Sequence, residues 1–111
     1  MIVRSKKMYQ ATTPKHTFKL PIETDICTVI RVSYKQDDKM IIKKKQDGKQ
    51  SDGMTLDGYN VIIKLSQEET LMFSTKKPVT VQIRAKTEDG DVYSSQQWNL
   101  GIDENQDKEI L

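Results

Sequence analysis

Along residues 79–86 the chain alternates: Val79, Val81, Ile83 and Ala85 are apolar, while Thr80, Gln82, Arg84 and Lys86 are polar. A period of two is what a strand with one buried face requires, because successive side chains point to opposite sides of a sheet. Glu88-Asp89-Gly90-Asp91 follows, and Asp-Gly supplies the positive φ angles of a tight hairpin turn. The chain is then predicted to return as one strand over residues 92–102, with Trp98, Leu100 and Ile102 on one face and Tyr93, Ser95, Gln97 and Asn99 on the other. A second hairpin centres on Asp57-Gly58, between an arm holding Met54 and Leu56 and a strand whose Tyr59, Val61, Ile63 and Leu65 share a face. In a third, Ile26, Thr28, Ile30, Val32 and Tyr34 form the inward set, which leaves Cys27 outward or semi-exposed. Its partner runs from Met40 to Lys45 after the turn Gln36-Asp37-Asp38-Lys39. His16, Phe18 and Leu20 share a face of a short strand ended by Pro21, and residues 2–9 read as an edge strand. Residues 46–53, with Gly48, Ser51, Asp52 and Gly53, carry turn chemistry without alternation and are expected to be a mobile loop.

One segment breaks the pattern. In residues 66–73, Ser66 stands where a helix cap would and Glu69 follows at capping-box spacing, with Leu65, Leu71 and Phe73 able to fold back onto a core. Six to seven short strands and one brief helical crossover predict an all-β fold, an antiparallel immunoglobulin-like β-sandwich, with a small barrel as the alternative. Residues 1–102 read as a single domain, and the acidic tail at 103–111 is expected to fray.

Composition narrows the classes further. The 111 residues are 35% hydrophobic and 31% charged, enough for one core without disulfide or metal staples. The longest apolar runs are three residues, so no transmembrane helix is expected. The opening Met1-Ile2-Val3-Arg4-Ser5-Lys6-Lys7 has no signal-peptide apolar stretch, so export by the general secretory route is not expected. One cysteine, Cys27, suits a reducing compartment. Residues 1–50 carry twelve Lys/Arg against five Asp/Glu, and residues 51–111 carry six against eleven. Such polarity suits docking to a partner, although strands from both halves interleave in a sandwich.

Candidate chemistry is sparse. A nucleophile needs a base within reach, and the only pair to weigh is Cys27 with His16, placed on different predicted strands with no oxyanion-hole motif. Asp37-Asp38, Glu68-Glu69 and Glu88-Asp89-Gly90-Asp91 coincide with turns, where Asp and Gly occur for conformational reasons. Calcium at Asp89 and Asp91, or within residues 47–57, lacks the spacing of a known loop. Gly48, Gly53 and Gly58 do not form a phosphate loop. No catalytic, metal or cofactor site is therefore expected. The basic stretch at 39–49 is the best binding candidate: Lys43, Lys44 and Lys45, with Arg31 and Lys35 nearby, supply the clustered cations that phosphate contacts need. The bland alternative is a charged edge strand that blocks unwanted pairing. Tyr93 and Gln97 on the last strand are a weaker protein-contact signature.

The segments Thr12-Thr13-Pro14-Lys15-His16-Thr17-Phe18-Lys19-Leu20-Pro21, Val29-Ile30-Arg31-Val32-Ser33-Tyr34-Lys35-Gln36, Leu65-Ser66-Gln67-Glu68-Glu69-Thr70-Leu71-Met72-Phe73 and Val81-Gln82-Ile83-Arg84 resemble short proteins encoded by phages and prophages of Gram-positive bacteria. These are small virion-associated β-sandwiches, broadly similar to the N-terminal domain of baseplate upper proteins. The resemblance implies a non-enzymatic structural or assembly protein that docks to other phage structural proteins or to itself. It also implies residence in the host bacterial cytoplasm during assembly, and in the virion if the protein is incorporated. A small nucleic-acid-associated or adaptor domain using the basic 39–49 strand is the second expectation.

Overall fold

The structure, a computed structural model, describes residues 7–111. It is an all-β sandwich of two sheets. Its strands are β1 (Lys7–Tyr9), β2 (Lys15–Lys19), β3 (Cys27–Gln36), β4 (Lys39–Gln46), β5 (Lys49–Gln50), β6 (Met54–Asp57), β7 (Asn60–Lys64), β8 (Val79–Thr87), β9 (Val92–Ser94) and β10 (Trp98–Asp103). A 3-10 turn at Thr24–Ile26 precedes β3, and helix α1 (Gln67–Leu71) leads from the smaller sheet toward the larger. The larger sheet runs β1-β10-β8-β3-β4-β5, with β9 also paired to β8; the smaller runs β2-β7-β6. One cluster fills the space between them, drawing Phe18, Met54, Val61 and Ile63 from the smaller sheet and Ile30, Val32, Tyr34, Val81, Ile83 and Leu100 from the larger. Each of these burials stabilises the fold by roughly 1.5–3 kcal/mol before chain entropy is counted.

Every predicted hairpin is present, but several details differ for local geometric reasons. The larger sheet is mixed because β1 pairs in parallel with β10; residues 2–6 of the expected edge strand lie outside the described residues. A bulge between Cys27 and Val29 shifts the register of β3 against β8, so Cys27 turns into the core and is buried, contrary to its expected outward placement. The returning strand after Gly90 is not continuous. Beyond Arg84↔Ser94 and before Val81↔Trp98, Ser95, Gln96 and Gln97 face only Gln82 and Ile83. Ser95 closes this bulge, accepting from Ile83 N through Oγ at 2.9 Å and donating its own N–H to Ile83 O at 2.9 Å.

The loop expected to be mobile is an ordered hairpin. Lys49 and Gln46 pair across Asp47-Gly48, whose φ angles of 53° and 74° are those of a type I′ turn. Gly53 (φ 81°) then lies against β7, with its carbonyl accepting from Lys64 N at 2.7 Å. A Cβ there would come within 2.2 Å of the Lys64 carbonyl oxygen, so no other residue fits. The second hairpin turns at Gly58-Tyr59, one residue later than expected, since Asp57 pairs with Asn60; Tyr59 is therefore exposed rather than on the Val61 face. The tail beyond Asp103 is tied back at two points: Asn105 Nδ2 donates to Gln10 O at 2.8 Å, and Gln67 exchanges two hydrogen bonds with the Leu111 backbone.

Candidate functional site

The face of the larger sheet turned away from the core is built from the polar halves of three alternating strands. Register sets its rows. Arg31 of β3 stands between Lys44 of β4 and Arg84 of β8, and Arg84 is followed by Ser94 of β9. One step along, Val29 neighbours Lys86, and Lys86 neighbours Val92. In the other direction Ser33 lies between Ile42 and Gln82, and Lys35 lies between Met40 and Thr80, with Asn99 next to Thr80. These rows contain Arg31, Lys35, Lys44, Arg84 and Lys86 and no carboxylate. None of the five has an ion-pair partner among the described residues. Exposed Met40, Ile42 and Val92 are interspersed with them.

Where β3, β8 and β9 meet, the face dips into a shallow depression of about 180 Å³ lined by Val29, Arg31, Gln46, Arg84, Ala85, Lys86 and Val92. A second depression, near the β3–β4 turn, brings Lys35 beside Gln97, Asp37, Lys77 and Thr80. There Lys77 Nζ is 3.0 Å from Asp37 Oδ1.

Among the residues singled out from sequence, Arg31, Lys35 and Lys44 thus share the outer face, and Gln97 borders it. The lysine run divides as strand geometry demands. Lys43 lies opposite Val32, on the core side, and its Nζ is 2.8 Å from Glu69 Oε2 in a largely buried ion pair. It is structural and unavailable to a partner. Lys45, opposite Ile30, also points to the core side, and its Nζ donates to Thr24 O at 3.4 Å. Tyr93 pairs with Ala85, so the bulge at 95–97 has moved it to the opposite side of the sheet from Asn99. Sequence reading missed Arg84 and Lys86. Both were legible as the polar half of β8, but their placement beside Arg31 depends on the long-range β3–β8 pairing.

The other candidate chemistry is not joined by hydrogen bonds. His16 is fully buried, with Nδ1 2.8 Å from the Tyr34 hydroxyl and Nε2 without a partner. Burial holds it near a pKa of about 4. Burial likewise raises the Tyr34 hydroxyl, and nearby Glu69 adds to the effect. Cys27 Sγ contacts Glu23 O at 3.5 Å, and burial raises its pKa away from the thiolate. Cys27 and His16 therefore form no nucleophile–base pair. For Glu69, burial alone would raise the carboxyl, but bonds from Lys43 and Ser66 outweigh it and hold the group below the usual range. Among the described residues no three His, Cys, Asp or Glu side chains gather to hold a metal, and no helix is long and apolar enough to cross a membrane.

No protein-family model matches the chain, and no curated protein matches it.

Proposed function

We propose that this protein is a non-enzymatic docking component of a phage or prophage particle, or of its assembly, and that the outer face of the larger sheet receives an acidic partner protein. The observation that carries the docking surface is the cationic face formed by Arg31, Lys35, Lys44, Arg84 and Lys86, which meets no carboxylate in its own rows. Like charges directly opposite one another in a sheet are destabilising, so the arrangement suits a surface neutralised from outside. The phage assignment rests on the resemblance of residues 12–21, 29–36, 65–73 and 81–84, which supply β2, β3, α1 and part of β8.

A protein partner fits better than a nucleic acid. Met40, Ile42 and Val92 are exposed on the same face, and protein interfaces are enriched in Arg and Met and mix apolar with polar contacts. Single-strand binders add aromatic platforms for base stacking. Here Tyr34 is buried and Tyr93 lies on the other side of the sheet.

The test is recovery of the tagged protein together with the products of its neighbouring genes. An acidic virion protein should be retained by the wild type at low salt and lost by the Arg31→Glu, Lys44→Glu double variant. A neighbourhood without capsid, portal, tail or baseplate genes removes the phage assignment. Tight retention on DNA with a steep salt dependence would instead assign the face to nucleic acid.

A further inference from the structure

Resting on the docking reading above, we infer that the depression between β3, β8 and β9 is its anchor point, where Arg31 and Arg84 clamp a single carboxylate side chain of the acidic partner. The two arginines are direct cross-strand neighbours. In such pairs Cβ atoms stand about 4.5–5.5 Å apart, close enough for both planar guanidinium groups to address one anion. Each fork can offer parallel N–H donors to a carboxylate, a geometry that lysine does not reproduce. Lys44 on one side of Arg31 and Lys86 two residues beyond Arg84 complete a positive rim.

The remaining lining selects the carboxylate over a phosphate. Phosphate sites commonly add backbone N–H donors from helix termini or nests. In a sheet the backbone N–H groups lie within the plane of the strands and are spent on the ladder, and this depression adjoins no helix. Val29 and Val92 instead offer apolar surface. The methylene stem of a Glu side chain can rest there while its charged end reaches the arginines. Like charges directly opposite one another repel, and a carboxylate bound between the two arginines relieves that repulsion.

The experiment titrates the full chain with a capped peptide of alternating Glu and Leu, followed by NMR chemical-shift changes. Its arms are the Gln–Leu analogue and inorganic phosphate. Binding of the Glu peptide alone is expected, with shifts centred on Arg31 and Arg84. Arg84→Lys and Arg31→Lys keep the charge but lose the fork, and each should weaken binding by about tenfold. Lys35→Gln, at the far end of the face, should change it by less than about twofold. Arginine variants that bind like the wild type, a Lys35→Gln loss as large as theirs, or half-saturation by phosphate below that of the peptide would each overturn the clamp. The two readings fail separately. A virion partner that still binds Arg31→Lys, Arg84→Lys protein overturns the clamp alone. Peptide binding centred on the arginines with no virion partner recovered overturns the docking role alone.

Discussion

The hydrogen bond between His16 Nδ1 and the Tyr34 hydroxyl joins β2 of one sheet to β3 of the other at a point from which water is excluded. Its chemistry makes the fold sensitive to acid. His16 is the only histidine, and burial lowers its pKa from 6.5 to about 4. The unfolded chain therefore takes up the proton first as pH falls. Stability should decline from about pH 6.5 down to about pH 4, by roughly 3 kcal/mol at most, after which this group adds no further slope. Glu69 acts in the same direction but at lower pH, since its folded pKa is depressed: its contribution disappears only as pH falls below the ordinary carboxylate value. The window between about pH 6 and pH 5 therefore reports on His16. Urea unfolding across that window should show a falling midpoint in the wild type and a nearly flat one in His16→Gln. A flat wild type would mean that His16 is solvated in solution. The alternation of His16, Phe18 and Leu20 showed that His16 faces inward. Its partner was not legible, because Tyr34 is paired to it only through the closure of the two sheets.

At the scale of elements, α1 illustrates a signal that was local and one that was not. Ser66 and Glu69 form the capping box their spacing predicts: Ser66 Oγ accepts from Glu69 N at 3.1 Å, and Glu69 Oε1 accepts from Ser66 N at 2.9 Å. The other oxygen of Glu69 holds Lys43, so the same carboxylate caps the helix and fastens it to β4. Glu69→Gln keeps the cap but leaves the ammonium of Lys43, only 11% exposed, without its counter-ion. Removing one partner of a buried pair costs roughly 3–5 kcal/mol, and because Glu69 keeps some contact with solvent a loss of about 2 kcal/mol is expected. Adding Lys43→Met should restore much of it, by removing the stranded charge. Chemical denaturation of the single and double variants checks this, and an equal loss in both would show that the ion pair is not the source. The bulges at 27–29 and 95–97 were equally hidden from sequence. A one-residue insertion reverses the facing of the residues beyond it, which is why Cys27 and Tyr93 are found on sides that simple alternation does not give them.

For the molecule as a whole, the uneven charge along the chain becomes a cationic sheet face because β3, β4 and β8 lie side by side. The sequence polarity alone did not require this, since β8 belongs to the more acidic half of the chain and nevertheless contributes Arg84 and Lys86. Such a face should carry a stability cost. Arg84→Thr removes a like-charge contact and places a β-branched residue on a solvent-facing strand position, so it is expected to stabilise the free protein by about 0.5 kcal/mol at low ionic strength. The gain should shrink as salt screens the repulsion. Thermal unfolding at two salt concentrations measures both effects, and destabilisation by Arg84→Thr at low salt would show that the repulsion is not what the face carries. By itself, the sequence determined the all-β class, the hairpins and the capped helix, because alternation, turn chemistry and capping act over a few residues. Only the tertiary structure decided which polar faces adjoin, that Lys43 is spent internally, and that Arg31 meets Arg84. Those outcomes depend on register between strands distant in the chain, where a single bulged residue changes which side chains share a face.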